Sequence, residues 1–197
     1  MFDWLKKKSE NARVYMCVKE LKWDLETASP LRRAKILAMA QILRIGFQDM
    51  PSFEDAVENP IDYPRNEIAY MYTSMENMRN SASIQVSQLK KNAVQMGFPL
   101  PEDMEEHVKL TNRSIEVWMT LFGCGLAPDV RDDVRQIWTY MLQSKNILKE
   151  AMIDLRAMSA RQAQITGQDI FASDMPSDIE WTELCEFTPK QFTKSLF

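Results

Sequence analysis

Val130, Val134, Ile137, Met141, Ser144, Leu148, Ala151, Leu155, Met158, Gln162 and Ile165 follow one another at alternating steps of four and three. With about 3.6 residues per turn, such spacing holds one stripe of side chains on one face of a helix. It predicts a single long helix packed against other helices. If Val134 and Met141 are a positions and Ile137 is d, the flanking positions include Trp138, Tyr140, Ile147 and Met152, where a two-stranded coiled coil prefers charge. The apolar arc is therefore wide, as for a helix touching several neighbours in an antiparallel bundle. About 38 residues rising about 1.5 Å each make about 57 Å, long beside the radius of gyration of about 16 Å of a compact chain of this size. The bundle is expected to be elongated, or the helix kinked, or one end projecting. Ser144 and Gln162 mark where the seam weakens.

The rest of the chain also reads as helix. Val14, Val18, Leu21 and Leu25 define a helix over about 10–26. Ser29 then caps a second one, with Pro30 at its first position, where no amide donor is missed. Ile36, Ala40, Leu43 and Phe47 share a face of this helix, but Leu37, Met39, Ile42 and Ile45 make it apolar almost all round, the mark of a central, buried helix. Prolines 51, 60 and 64 make 49–63 a connector, with Ser52 and Asp55 resembling a capping box. From Pro64 a long face runs through Ile68, Met71, Met75, Met78, Ala82, Val86, Leu89, Ala93 and Met96 until Gly97 and Pro99 end it. After Pro101, Met104, Val108, Thr111, Ile115, Trp118 and Phe122 define another helix, with acids in its first turns as the helix dipole favours. Gly123–Pro128 reads as the turn before the helix of the opening stripe. Beyond Gly167, Ser177 with Glu180, and Thr188 with Pro189 and Gln191, suggest two short capped pieces.

The chain of 197 residues is 45% apolar and 26% charged, a balance that supports one ordinary core. Cys17, Cys124 and Cys185, odd in number and far apart, suit reduced thiols and a cytosol-like location. No stretch is apolar and long enough to span a bilayer, and Lys6, Lys7, Lys8, Ser9 and Glu10 interrupt any signal-peptide core. The formal charge of -4 hides an asymmetry. Residues 1–48 carry ten basic and five acidic side chains, whereas the last thirty-one residues carry six acids and two lysines. Such a basic portion can face phosphate or an anionic membrane, but can equally face an acidic surface of its own fold.

Candidate sites are few. Only one histidine, His107, is present, with no Glu three residues before it, so a di-iron bundle site has no ligand set. Asp103 and His107 can meet on one face as an exposed ion pair. Cys124, read as lying just before a helix N-terminus, is the candidate reactive thiol, since a helix dipole can stabilise a thiolate. A plain turn between helices explains the Gly-Cys-Gly run equally. Its glycines lack the Gly-Lys-Ser/Thr ending of a phosphate loop. The fourteen methionines fill a core or line an adaptable groove. Phe2, Trp4 and Leu5 beside Lys6, Lys7 and Lys8 form a short amphipathic segment able to meet an anionic lipid surface or a partner. In the tail, Phe171, Ile179, Trp181, Leu184, Phe187, Phe192 and Phe197 are set among acids, a composition suited to docking in a basic groove or folding back on the basic first helices. Arg32, Arg33 and Lys35 lack a turn-helix signature or aromatic platform, and a pI near 5.2 opposes nonspecific phosphate binding.

These readings predict an all-α, elongated, mostly antiparallel helical bundle of about five main helices plus short C-terminal helical segments. They divide the chain into an N-terminal segment 1–9, a bundle 10–167 and an acidic aromatic tail 168–197. The expected function is a non-catalytic protein–protein interaction module, an adaptor, scaffold or assembly factor, binding another protein or a second copy without metal or cofactor. The alternatives are a peripheral membrane protein held by residues 2–8 at the inner face of a membrane, and a Cys124-dependent enzyme or thiol sensor.

Overall fold

A computed structural model describes residues 2–46, 64–97 and 102–166. These are almost wholly helical, and no strand occurs among them. The helices are α1 (Phe2–Thr27), α2 (Pro30–Gly46), α3 (Arg65–Gln95), α4 (Glu102–Leu126), α5 (Arg131–Leu142) and α6 (Leu148–Thr166), with 3₁₀ turns at Pro128–Val130 and Lys145–Ile147. They pack together as an all-α bundle. The connector 49–63 and the two capped pieces of the tail lie outside the described residues.

Local chemistry sets several helix ends as the sequence predicts. The Ser29 hydroxyl accepts from the Arg32 amide at 3.2 Å, capping α2 with Pro30 at its first position. Gly97, at φ +76°, ends α3 in the left-handed conformation that glycine adopts without a Cβ penalty. Two positively charged side chains close other ends. Arg33 donates to the carbonyls of Leu25 and Glu26 at the end of α1, and Arg65 donates to the Leu126 carbonyl at the end of α4. Each satisfies oxygens that the last turn of a helix leaves without an intrahelical donor.

Around α4 the other helices gather. It packs against α1, α2, α3, α5 and α6, and residues 114–124 are buried in an almost unbroken run. The predicted central helix, α2, is likewise buried continuously from Ile36 to Ile42. Ser114 Oγ donates to the Ile36 carbonyl at 3.2 Å, and Trp118 Nε1 to the Ala40 carbonyl at 2.9 Å. The offset between partners is the same in both bonds, so α2 and α4 run in the same direction. In contrast, Asn112 meets Ser83 and Lys90 meets Glu105, so α3 and α4 are antiparallel.

The opening stripe is buried at Val130, Val134, Ile137, Met141, Ser144, Leu148, Ala151, Leu155 and Met158, but the single helix predicted there is two. Ser144, at φ −104° and ψ 8°, leaves the helical conformation between α5 and α6. The Ser144 amide bonds the Met141 carbonyl and the Ile147 amide bonds the Ser144 carbonyl, the tighter 3₁₀ pattern. Each bond reaches back three residues, which is one of the two steps of the stripe, so the break preserves its phase. Gln143, Ser144, Lys145 and Asn146 also include two weak helix formers at the break.

The Gly-Cys-Gly run is helix as well, and not the predicted turn. A Cβ on Gly123 would lie 2.7 Å from Val14 Cγ1, and one on Gly125 would lie 2.5 Å from Ile68 Cδ1. These glycines therefore let α1 and α3 approach the end of α4. The helix predicted over 10–26 extends back to Phe2.

Candidate functional site

Beside Val14, Val18, Leu21 and Leu25, the buried face of α1 carries a thiol, Cys17. Opposite it, α3 buries Tyr72, one residue off the Met71–Met75 stripe. A cleft of about 360 Å³ opens above them between α1 and α3, lined by Ala12, Arg13, Met16, Glu20, Glu76 and Arg79 in addition to this pair. The Tyr72 hydroxyl faces the Cys17 thiol, a weak hydrogen-bonding partner. No described nitrogen or oxygen bonds this hydroxyl.

Charge surrounds the cleft in linked pairs. Arg13 bridges from α1 to Glu76 of α3 and lies 5.9 Å from the centre of the Tyr72 ring, within range of a cation–π contact. Beneath, buried Glu116 of α4 pairs with Arg79 of α3 at 3.1 Å and with Arg113 of its own helix. Arg113 continues to Asp24 of α1 at 2.8 Å, and Arg32 of α2 joins Asp24 at 3.5 Å and also Glu106. One chain of ion pairs thus connects α1, α2, α3 and α4. Removing one member of such a buried pair leaves an uncompensated charge, which costs far more than an exposed pair contributes.

Burial pushes the Cys17 thiol up to about 12, with the Glu116 charge acting in the same direction. Burial likewise raises the Tyr72 hydroxyl, and charge on Cys17 and Glu76 adds to it. Both groups stay protonated through neutral pH. The cleft therefore offers hydrogen bonds, an aromatic face and paired charges rather than a nucleophile.

Cys124 lies elsewhere, in the last turns of α4. It is at a helix C-terminus rather than before an N-terminus, so the dipole does not favour a thiolate there. Burial raises its pKa to about 11, against the opposing charges of Arg131 and Arg135. The position at a helix N-terminus that made Cys124 a candidate reactive thiol is therefore not the one it occupies. His107 is also buried rather than in an exposed pair, and burial holds its imidazole down at about 4. No group of three or more metal-ligating side chains occurs among the described residues.

The basic cluster at the start of α2 is spent on the fold. Arg32 pairs with Asp24 and Glu106, Lys35 with Asp154, and Arg33 caps α1 while its guanidinium lies 5.3 Å from the Tyr140 ring centre. On α1, Lys22 bonds Asp133, which raises the lysine pKa. Much of the charge asymmetry in the sequence is consequently answered inside the molecule, early cations against later acids.

Of the remaining predicted contacts, Phe2, Trp4, Leu5 and Lys6 fall in the first turns of α1, with side chains outside the described residues; Lys7 and Lys8 are exposed. The tail residues Phe171, Ile179, Trp181, Leu184, Phe187, Phe192 and Phe197 lie outside the described residues. No described helix is long and apolar enough to cross a membrane.

Two apolar surfaces remain open. The predicted methionine face of α3 is buried at Ile68 and Met75, but Met78, Leu89 and Met96 are exposed, together with Ile84 and Val94. On α1, Tyr15, Met16 and Trp23 face outward, Trp23 with 67% of its surface exposed. The chain gives no match to any family model, curated protein or solved structure with which it was compared.

Proposed function

We propose that this protein is a non-catalytic interaction module that binds another protein through the far half of α3. The observation that carries this reading is a helix without enough neighbours. From Asn77 to Gln95 the sequence holds Arg79, Lys90 and Lys91 but no acid, and almost half its residues are Asn, Ser or Gln. Asn, Ser, Val and Ile are mediocre helix formers, so this stretch depends on packing for its stability. Among the described helices only α4 packs extensively against α3. Met78, Leu89 and Met96 stay open along the edge of that contact, with Leu89 43% exposed. Flexible thioethers beside a leucine and amide side chains suit an adaptable seat for a partner helix. Low charge is also characteristic of the centre of an interface. Affinity capture from native lysate with full-length protein tests this reading against a Met78→Glu, Leu89→Glu double variant. A specific partner retained by the first and lost by the second, with the helical spectrum unchanged, is the expected result. Identical capture profiles would refute it.

A membrane-surface role is the second reading, because α1 joins the Phe2–Lys8 segment to exposed Met16 and Trp23 without interruption. Co-flotation with anionic vesicles, lost in Trp4→Ala, Trp23→Ala protein, is expected if the helix lies on lipid.

A further inference from the structure

We infer that the outer face of α1 is a docking surface for the acidic aromatic tail of the same chain, residues 168–197. Ala12, Met16 and Trp23 follow one another at steps of four and seven, so they share one face of α1. All three are exposed, as are Tyr15 and Lys19 beside them and Lys7 and Lys8 one to two turns earlier. Trp23, near the end of α1 and 67% exposed, leaves a large apolar ring in water, which burial against another apolar group would remove. The face runs into the α1–α3 cleft, which shares Ala12 and Met16 with it. There the buried Tyr72 hydroxyl has no nitrogen or oxygen partner among the described residues.

Sequence and reach identify the occupant. After Thr166, the end of α6, the chain continues with six acids, two lysines and the apolar residues Phe171, Ile179, Trp181, Leu184, Phe187, Phe192 and Phe197. Aromatic side chains suit Met16 and Trp23, and the excess of acids in the tail complements Lys7 and Lys19, with Glu20 the exposed acid between Met16 and Trp23. Thirty residues span up to about 100 Å when extended, against about 46 Å for α3, the longest of the described helices. The tail thus reaches α1 from any end of the bundle. This surface is separate from the far half of α3, so either proposal can fail without the other.

Cys185 provides the reporter. In the full-length chain, Ala12→Cys adds a thiol to the proposed face, while Ser81→Cys adds an equally exposed one on the far half of α3. Under mild oxidation, the intramolecular disulfide to Cys185 is expected to close at least about 10-fold faster in the Ala12→Cys chain, because docking raises the effective concentration of the tail thiol. Adding Trp23→Ala should abolish that advantage, and about 1 M salt should reduce it by screening the charge component. Equal closure rates at the two positions would overturn the proposal. Disulfide-linked dimers as the main Ala12→Cys product would assign the face to a second copy instead. Flotation with anionic vesicles that requires Trp23, without intramolecular closure, would assign it to a lipid surface.

Discussion

The second half of α4 and the far half of α3 pack in the same bundle, yet one is enclosed and the other half bare. Residues 114–124 of α4 include Ser114, Glu116 and Thr120 and are buried nonetheless. Residues 77–95 of α3 include Met78, Ile84, Leu89 and Val94, which are exposed. Burial here follows the number of neighbours rather than the hydrophobicity of the residue. In this stretch Ser114 and Thr120 are answered by carbonyls of their own helix and Glu116 by two guanidinium groups, which is why their burial is tolerated. Among the described residues, no second helix packs extensively over the apolar groups on α3.

Replacing Trp118 with alanine is the most severe test of this contrast. The side chain is fully buried and its indole bonds the Ala40 carbonyl, so Trp118→Ala should cost about 3–5 kcal/mol in urea unfolding. Acid provides a second test. Burial lowers the His107 pKa from 6.5 to about 4, so between those values the unfolded chain takes up a proton that the folded chain refuses. The stabilisation is complete above pH 6.5 and declines as pH falls towards 4, by about 3 kcal/mol at most. His107→Leu should flatten that part of the stability–pH curve. Glu116→Ala should cost about 2 kcal/mol, reduced because Arg79 and Arg113 keep partial access to water. Glu116→Gln should recover part of that loss. On the bare side, Leu89→Ala should change stability by less than about 1 kcal/mol while weakening partner capture. A loss comparable to that of Trp118→Ala would show that the far half of α3 belongs to the core after all.

Much of this architecture was legible as periodicity. The stripe from Val130 to Met158, the cap at Ser29, the end of α3 at Gly97 and the enclosed character of α2 all follow from local spacing and turn chemistry. What spacing cannot register is a break that keeps phase, and so α5 and α6 read as one helix until the backbone at Ser144 is seen. Gly123 and Gly125 were ambiguous for another reason. Glycine serves a turn and a close approach equally well, and the identity of the approaching chain, Val14 or Ile68, comes from more than fifty residues away. The candidate cleft was invisible for the same cause. Cys17 and Tyr72 are an ordinary apolar-face cysteine and an off-stripe tyrosine until α1 and α3 are brought together. The methionine stripe was legible as a face, but how much of it is covered depends on how many helices arrive.

The 3₁₀ corner at Lys145–Ile147 also divides the molecule mechanically. Beyond it, α6 rests chiefly on α2, with a smaller contact to α4, and its connection to α5 consists of a single tightened turn. Regions with fewer buried neighbours open at lower free energy than the enclosed core. This last described helix can accordingly open as one unit while α1, α2 and α4 keep their mutual bonds. Amide exchange in α6 should then proceed as a block, ahead of that in α4, and the boundary between fast and slow should fall at Ser144.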